Sequence, residues 1–243
     1  VQTCALPISN DPPPLLAMDG EPPRALRASD GNVRPDADAA AEPWLEGMRR
    51  LMPALEAASA RMEKLHRLAI TDHLTGAYNR RYFYHVTDQI LSRAEGPDFR
   101  VTLLLYDIDN FKQYNDLYGH AAGDQILRDT AALMQRITRA QDVIARIGGD
   151  EFAVLFWDNE PPRSPGSRPL ATAYDLADRF RREVAKLRYE WLGPRARGTL
   201  TISGGLANFP KDGQTCRDLL RSADRALRDA KDAGKNGIAI VGA

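Results

Sequence analysis

Four acidic residues stand where a hard cation could be held. Asp107 and Asp109 end the apolar run Val101 to Tyr106, and Asn110, Phe111 and Lys112 follow directly. A carboxylate at the end of a buried strand, where the chain reaches solvent, is well placed to bind a cation through oxygen. Asp150 and Glu151 follow Gly148 and Gly149, between the apolar runs 143–147 and 152–157. That spacing predicts a hairpin, because glycine supplies the positive φ angles that a tight turn demands. If the hairpin lies beside the Asp107 strand, the carboxylates converge. Magnesium takes one or two protein carboxylates plus substrate phosphates, and Lys112 offers charge to a phosphate, so the set suits phosphoryl transfer. Each piece alone has a plainer reading: a solvated turn, an ordinary hairpin, a surface lysine. The combination is the signal.

The elements that must position these residues alternate. Residues 80–93 read as a helix, 101–106 as a buried strand, and 121–136 as a helix with Ile126, Leu127, Leu133, Met134 and Ile137 on one face. The hairpin comes next, then a Pro-rich loop at 159–169, a helix near 171–187, a strand at 199–207, a helix at 216–233 and a short strand at 238–241. Helices interleaved with a hairpin and further strands predict an α+β fold, an α/β sandwich with helices packed on a mixed sheet.

Upstream of residue 70 the chain changes character. Residues 9–43 are rich in Pro, Asp and Ala and poor in aromatics, which predicts a disordered linker. Trp44, Met48, Leu51, Leu55, Ala58, Met62, Leu65 and Ala69 then recur at steps of four and three, giving an amphipathic helix over 44–69. Pro53 interrupts it, so the firm helix is expected from there to about Ala69. A single helix packed on its own domain and a parallel coiled-coil stalk both fit. Val1 to Ile8 can be written codon by codon as a sequencing-adapter oligonucleotide in frame, and those residues are expected to be non-native.

Composition narrows the options. Lys plus Arg and Asp plus Glu both number 33, so no global field draws a nucleic acid polymer or an anionic membrane. Cys4 and Cys216 form neither a disulfide framework nor a metal-ligand spacing, which fits a reducing cytoplasm. No apolar run reaches the roughly 20 residues of a spanning helix, although an upstream region could tether the protein to a membrane.

Gly148-Gly149-Asp150-Glu151-Phe152 spells a signature, and four further motifs accompany it in order. Residues 71–81 read TDHLTGAYNRR, residues 107–116 read DIDNFKQYND, and Tyr118-Gly119-His120 with Gly123-Asp124 follow. Ala223-Asp224, Ala226-Leu227, Ala230-Lys231 and Gly234-Lys235-Asn236 come near the end. From about Leu68 to Ile240 the chain resembles the GGDEF-domain diguanylate cyclase family. The resemblance implies a palm-like fold related to nucleotidyl cyclases, spanning 70–243. It also implies condensation of two GTP into cyclic di-GMP by a homodimer, with two Mg2+ (or Mn2+) ions per active site. By position, Asp107, the Ile108 carbonyl and Asp150 would ligate metal, with Asp150, Glu151 and Lys112 in the catalytic group. Lys231 and Lys235 would hold the distal phosphates. Asn115 and Asp124 would read the guanine edge, with Phe111 and His120 at the same nucleotide.

The same resemblance gives Arg139-Ala140-Gln141-Asp142 a meaning. Alone it is a loop with a local Arg–Asp pair. At this distance from the signature, Arg139 and Asp142 match the family's product-inhibition site, where arginine forks onto phosphate or stacks on guanine. Departures are few. Lys235 stands where members often carry Arg, Arg228 where many have Tyr, and the 159–169 loop is long. The competing reading is a catalytically silent domain that binds cyclic di-GMP as a sensor, but silent members typically lose the signature carboxylates that this chain keeps.

Overall fold

The structure, a computed structural model, describes residues 37–94, 99–158, 173–187, 189 and 200–242, with 37–44 described by backbone alone. The expected non-native segment 1–8, most of the expected linker and the Pro-rich loop lie outside the described residues. Twelve elements follow in order: α1 Ala37–Ile70, β1 Tyr78–Asn79, α2 Arg80–Ser92, β2 Arg100–Ile108, α3 Phe111–Tyr118, α4 His120–Ile137, β3 Val143–Arg146, β4 Glu151–Asp158, α5 Ala173–Val184, β5 Ile202–Phe209, α6 Cys216–Asp232 and β6 Ile238–Ile240.

The six strands form one sheet in the order β1-β3-β4-β2-β5-β6. β2 lies at its centre and runs antiparallel to both β4 and β5, while β1 with β3 and β5 with β6 are parallel pairs. Both faces are covered. Leu104, Tyr106 and Ile108 belong to a core layer with Ile126 and Met134 of α4 and Phe180 of α5. Leu103 and Leu105 belong to the opposite layer, with Phe83 of α2 and Leu219 and Leu227 of α6. A strand buried on both sides reads as an unbroken apolar run, which is why VTLLLY carries no alternation.

The two-residue β1 is absent from the sequence pattern, and two helices differ from expectation. α1 begins well ahead of Pro53 and takes in residues 37–43, part of the segment expected to be linker. A proline removes one backbone donor, and the Ala, Glu, Leu, Arg and Met around it are strong helix formers that continue the helix past it. Its apolar seam is open, with Leu51, Leu55, Met62 and Leu65 each 57–68% exposed. α3 was not expected at all: it is eight residues long, buries only Tyr114, and contains Asn115 and Asp116, so periodicity and propensity both hide it.

The segment after α1 shows why TDHLTGAYNRR has its residues. The Asp72 carboxylate accepts from the Thr75 backbone N–H at 3.0 Å and from the Thr75 hydroxyl at 2.7 Å. Asn79 caps α2 by accepting from the Tyr82 N–H, and its amide donates to the Ala69 carbonyl at the end of α1. Arg81 donates to the same carbonyl. Capping residues thus serve two helix ends at once.

α6 packs closely on β5. A Cβ at Gly205 would meet the Ala223 carbonyl oxygen at 2.1 Å and the Leu227 nitrogen at 2.4 Å. Because helix backbone is the obstacle, a methyl there cannot be absorbed by a rotamer change. Gly205→Ala is therefore expected to lower the unfolding free energy by about 2–3 kcal/mol, the upper part of the overpacking range, as measured by urea denaturation.

Candidate active site

Asp107 is the penultimate residue of β2, and the register sets it opposite Glu151 of β4 and Ser203 of β5. Residues directly opposite on antiparallel strands share a face, with Cβ atoms about 4.5–5.5 Å apart. Asp150 precedes Glu151 in the turn, and Lys231 of α6 pairs with Asp107 Oδ1 at 2.9 Å. The Asp107 side chain is only 12% exposed. Burial raises its pKa, the Lys231 hydrogen bond opposes that, and the charges of Asp150 and Glu151 raise it again, leaving it pushed up to about 6. The three carboxylates therefore share one electrostatic neighbourhood.

This donor set is all hard oxygen, which fits a divalent cation such as magnesium and no soft metal. A cation would relieve the repulsion that lifts the Asp107 pKa. Among the described residues no group of three His, Cys, Asp or Glu side chains comes together closely enough to enclose an ion unaided. A bound ion would draw its remaining oxygens from backbone, water or phosphate. Ile108, whose carbonyl is a candidate, is the last residue of β2.

The hairpin turn forms without the positive φ expected of its glycines: neither Gly148 nor Gly149 adopts it. The Ile147 and Gly148 N–H groups instead both donate to the Glu151 carbonyl, at 2.8 and 3.2 Å. A Cβ at Gly148 would lie 2.6 Å from Glu151 Oε2, so a side chain there would turn the Glu151 carboxylate away from its present position. Arg146 fixes the turn from outside. Its Nε and Nη2 donate to the Gly149 carbonyl at 3.0 and 2.6 Å, and its Nη1 donates to Asp72 at 3.2 Å. Burial alone would raise the Asp72 pKa, but the Thr75 hydrogen bonds and the Arg146 charge outweigh it and hold Asp72 below its ordinary value. Sequence reasoning passed over this link, because nothing in either motif names its partner 74 residues away.

Asn115 of α3 lies against α4 through a notch at Gly123. A Cβ there would stand 1.9 Å from Asn115 Oδ1 and 3.1 Å from Phe111 Cζ. Phe111 is the first residue of α3, and Asp124 adjoins Gly123 on α4, half-buried. Lys112 and His120 are exposed, and no hydrogen bond or ion pair among the described residues ties either to the acidic group.

Lys235 lies in the connection from α6 to β6 and donates to Asn110 Oδ1 at 2.6 Å. Beside it Asp109, 1% exposed, accepts from Ser203, Thr201 and the Asn236 N–H. The DxD spacing drew attention to Asp109 as a metal candidate, whereas its carboxylate is committed to the protein. Arg139 and Asp142 lie apart from all of this, between α4 and β3. Asp142 is buried and its Oδ2 accepts from the Arg139 N–H at 2.8 Å, while Trp157 Nε1 donates to the Gln141 carbonyl at 2.7 Å.

A mixed six-stranded sheet with helices on both faces, carrying paired carboxylates at the end of its central strand, is an α+β fold. Residues 69–237 match the family model described as diguanylate cyclase, GGDEF domain, and the chain belongs to the GGDEF family. It is 38% identical over 174 residues to the bifunctional diguanylate cyclase/cyclic di-GMP phosphodiesterase MucR of Pseudomonas aeruginosa, covering 72% of this chain and 24% of MucR. Against the response regulator PleD of Caulobacter vibrioides it is 38% identical over 175 residues, covering 72% of this chain and 36% of PleD. The match thus spans well under half the length of these curated relatives. The crystal structure of the coiled coil and GGDEF domain of DgcB from Caulobacter crescentus, in complex with c-di-GMP, is similar with a TM-score of 0.66 and 28% identity, covering 81% of this chain and 98% of that one. Among the described residues no helix is long and apolar enough to cross a membrane.

The folded protein holds the Asp107 proton more tightly than the unfolded chain does, so this group favours folding increasingly as pH falls through 6 and fully below 3.8. Above pH 6 its cost is fully present. Without metal, the stability of wild type relative to Asp107→Asn is expected to improve as pH is lowered from 7 to 4, by about 3 kcal/mol at most. Denaturant titrations across that range check this; a difference that does not vary with pH would remove Asp107 from the acidic cluster.

Proposed function

We propose that this chain is a diguanylate cyclase: a homodimer in which each copy holds one GTP, condensing the pair into cyclic di-GMP with release of two pyrophosphates. The observation that carries the reading is Asp107 opposite Glu151 on adjacent strands, with Lys231 on the Asp107 carboxylate. Asp107, the Ile108 carbonyl and Asp150 would hold the divalent cations, and Glu151 would stand beside them. Lys112 would offset charge on the phosphates, and Lys231 and Lys235 would take the distal ones. Asn115 and Asp124 would read the guanine edge, since an amide and a carboxylate match its donors and acceptors and leave adenine unmatched. Phe111 and His120 would complete that pocket.

Bound cations would supply charge neutralisation at the triphosphate and favour ionisation of the attacking hydroxyl. In each transfer the 3′ oxygen of one GTP bonds to the α-phosphorus of the other, and the bond from that phosphorus to pyrophosphate breaks. Asp150 or Glu151 takes the hydroxyl proton. A second transfer closes the ring. One site contains half of the reaction, so two domains must face each other antiparallel. The exposed seam of α1 supports a stalk as the element that brings them together.

Incubation of the full chain with GTP and magnesium, followed by mass analysis, is expected to yield cyclic di-GMP and two equivalents of pyrophosphate. Asp150→Ala is expected to cut turnover by about a hundredfold or more with the circular dichroism spectrum unchanged. Cyclic di-GMP that binds without being made would favour the silent sensor instead.

Product binding is supported by the DgcB domain having been solved with c-di-GMP, and the family resemblance assigns it here to Arg139 and Asp142. Losing a charged fork onto phosphate or guanine costs about tenfold or more in affinity. Arg139→Ala is thus expected to raise the half-inhibitory cyclic di-GMP concentration by about that factor, read from initial rates; superimposable inhibition curves would exclude the assignment.

A further inference from the structure

Asp109 does different work from Asp107. Its side chain is buried, and both carboxylate oxygens are occupied by protein donors: Oδ1 by the Ser203 hydroxyl at 2.7 Å, Oδ2 by the Thr201 hydroxyl at 2.7 Å and the Asn236 N–H at 3.0 Å. Its own N–H donates to the Thr201 carbonyl at 2.9 Å. One residue thus joins the end of β2, the start of β5 and the connection between α6 and β6.

That connection is conformationally costly. Gly234, Lys235 and Asn236 have φ of 118°, 63° and 47°, and Asn110, next to Asp109, has φ of 58°. Asparagine tolerates left-handed backbone, but a lysine there, Lys235, persists in it only where the surroundings fix it. The end of α6 fixes part of it, the Gly234 and Lys235 N–H groups donating to the Lys231 and Ala230 carbonyls at 3.2 and 3.1 Å, and three side-chain contacts add to these. Asp109 holds the Asn236 N–H, Arg181 of α5 donates from Nη1 to Asn236 Oδ1 at 3.0 Å, and Lys235 Nζ rests on Asn110 Oδ1 at 2.6 Å. Arg181 is itself held by Asp178, one turn earlier on α5. No motif contains Arg181, and α5 contributes no other residue to the site.

We propose that Asp109 and Arg181 are positioning residues: they clamp Asn236 from its backbone and its side chain, and so hold Lys235 in the left-handed conformation that presents its ammonium to the terminal phosphates of a bound nucleotide. Lys235 meanwhile rests on a neutral amide, a partner that a phosphate displaces readily because the charge-assisted bond is stronger. Without the clamp, Asn236 is released and the Lys235 side chain is positioned by the end of α6 alone, so binding must reorder it. The loss falls on the triphosphate and spares the guanine contacts on α3 and α4.

The proposal rests on the cyclase reading for the identity of the nucleotide, and its test separates the two. Affinities for magnesium–GTP and for GMP are measured by calorimetry on the full chain. Asp109→Asn is expected to weaken GTP about tenfold and Arg181→Ala about threefold, with GMP affinity unchanged. In a Lys235→Ala background neither substitution is expected to weaken GTP further, because both act through that lysine. Amide hydrogen exchange gives a readout independent of nucleotide: the Asn236 N–H is expected to be protected in wild type and to exchange faster in both variants. Arg181→Ala removes a contact at the surface, so it keeps the test open if Asp109→Asn fails to fold.

Wild-type GTP affinity in Arg181→Ala, equal losses of GTP and GMP, or full additivity with Lys235→Ala would each overturn the positioning role and leave the cyclase reading standing. If wild type makes no cyclic di-GMP, the cyclase reading falls, and the clamp is then decided by exchange of the Asn236 amide alone.

Discussion

The register of β2 between β4 and β5 is the constraint from which the acidic site follows. β2 is hydrogen-bonded along both edges and buried on both faces, with Leu104, Tyr106 and Ile108 in one layer and Leu103 and Leu105 in the other. A slip of one residue would send each of these side chains to the opposite face, against helices shaped for different neighbours. Tyr106 shows how tight the fit is: its ring stacks on Phe152 at 5.2 Å and meets Phe180 edge-on at 4.9 Å. The hydrophobic packing that forbids the slip is therefore what keeps Asp107 opposite Glu151.

The acidic cluster works against stability. Gathering Asp107, Asp150 and Glu151 where water is partly excluded lifts the Asp107 pKa despite an ion pair with Lys231 at 2.9 Å. Desolvation and like charge outweigh one lysine. The protein retains this tension in one place, while two nearby carboxylates are well satisfied. Asp109, two residues on, has every carboxylate oxygen occupied, and Asp72 is held below its ordinary pKa by Thr75 and Arg146. Local frustration confined to a few residues is the pattern expected of a site built to bind something.

Much of this was legible in the sequence, for identifiable reasons. VTLLLY stood out because a strand covered on both faces needs apolar residues at every position, and the signature hairpin because its runs flank glycines. α3 was hidden by its length and by Asn115 and Asp116, which weaken helix propensity. The turn geometry differs from expectation: local backbone rules suggest positive φ at its glycines, and neither Gly148 nor Gly149 adopts it. Arg181 left no trace, since its partner Asn236 lies 55 residues away and an arginine on an amphipathic helix looks like any solvated one.

β3 has only four residues, Val143–Arg146, and so spans about 13 Å. Both of its ends are pinned. At one, Asp142 holds the Arg139 N–H and the Trp157 indole holds the Gln141 carbonyl; at the other, Arg146 binds the Gly149 carbonyl and Asp72. Between them Val143 and Ala145 are fully buried, and the strand pairs with β4 along its whole length. The loop bearing Arg139 and Asp142, the turn bearing Asp150, and Asp72 just beyond α1 are thus all fastened to one short, buried strand.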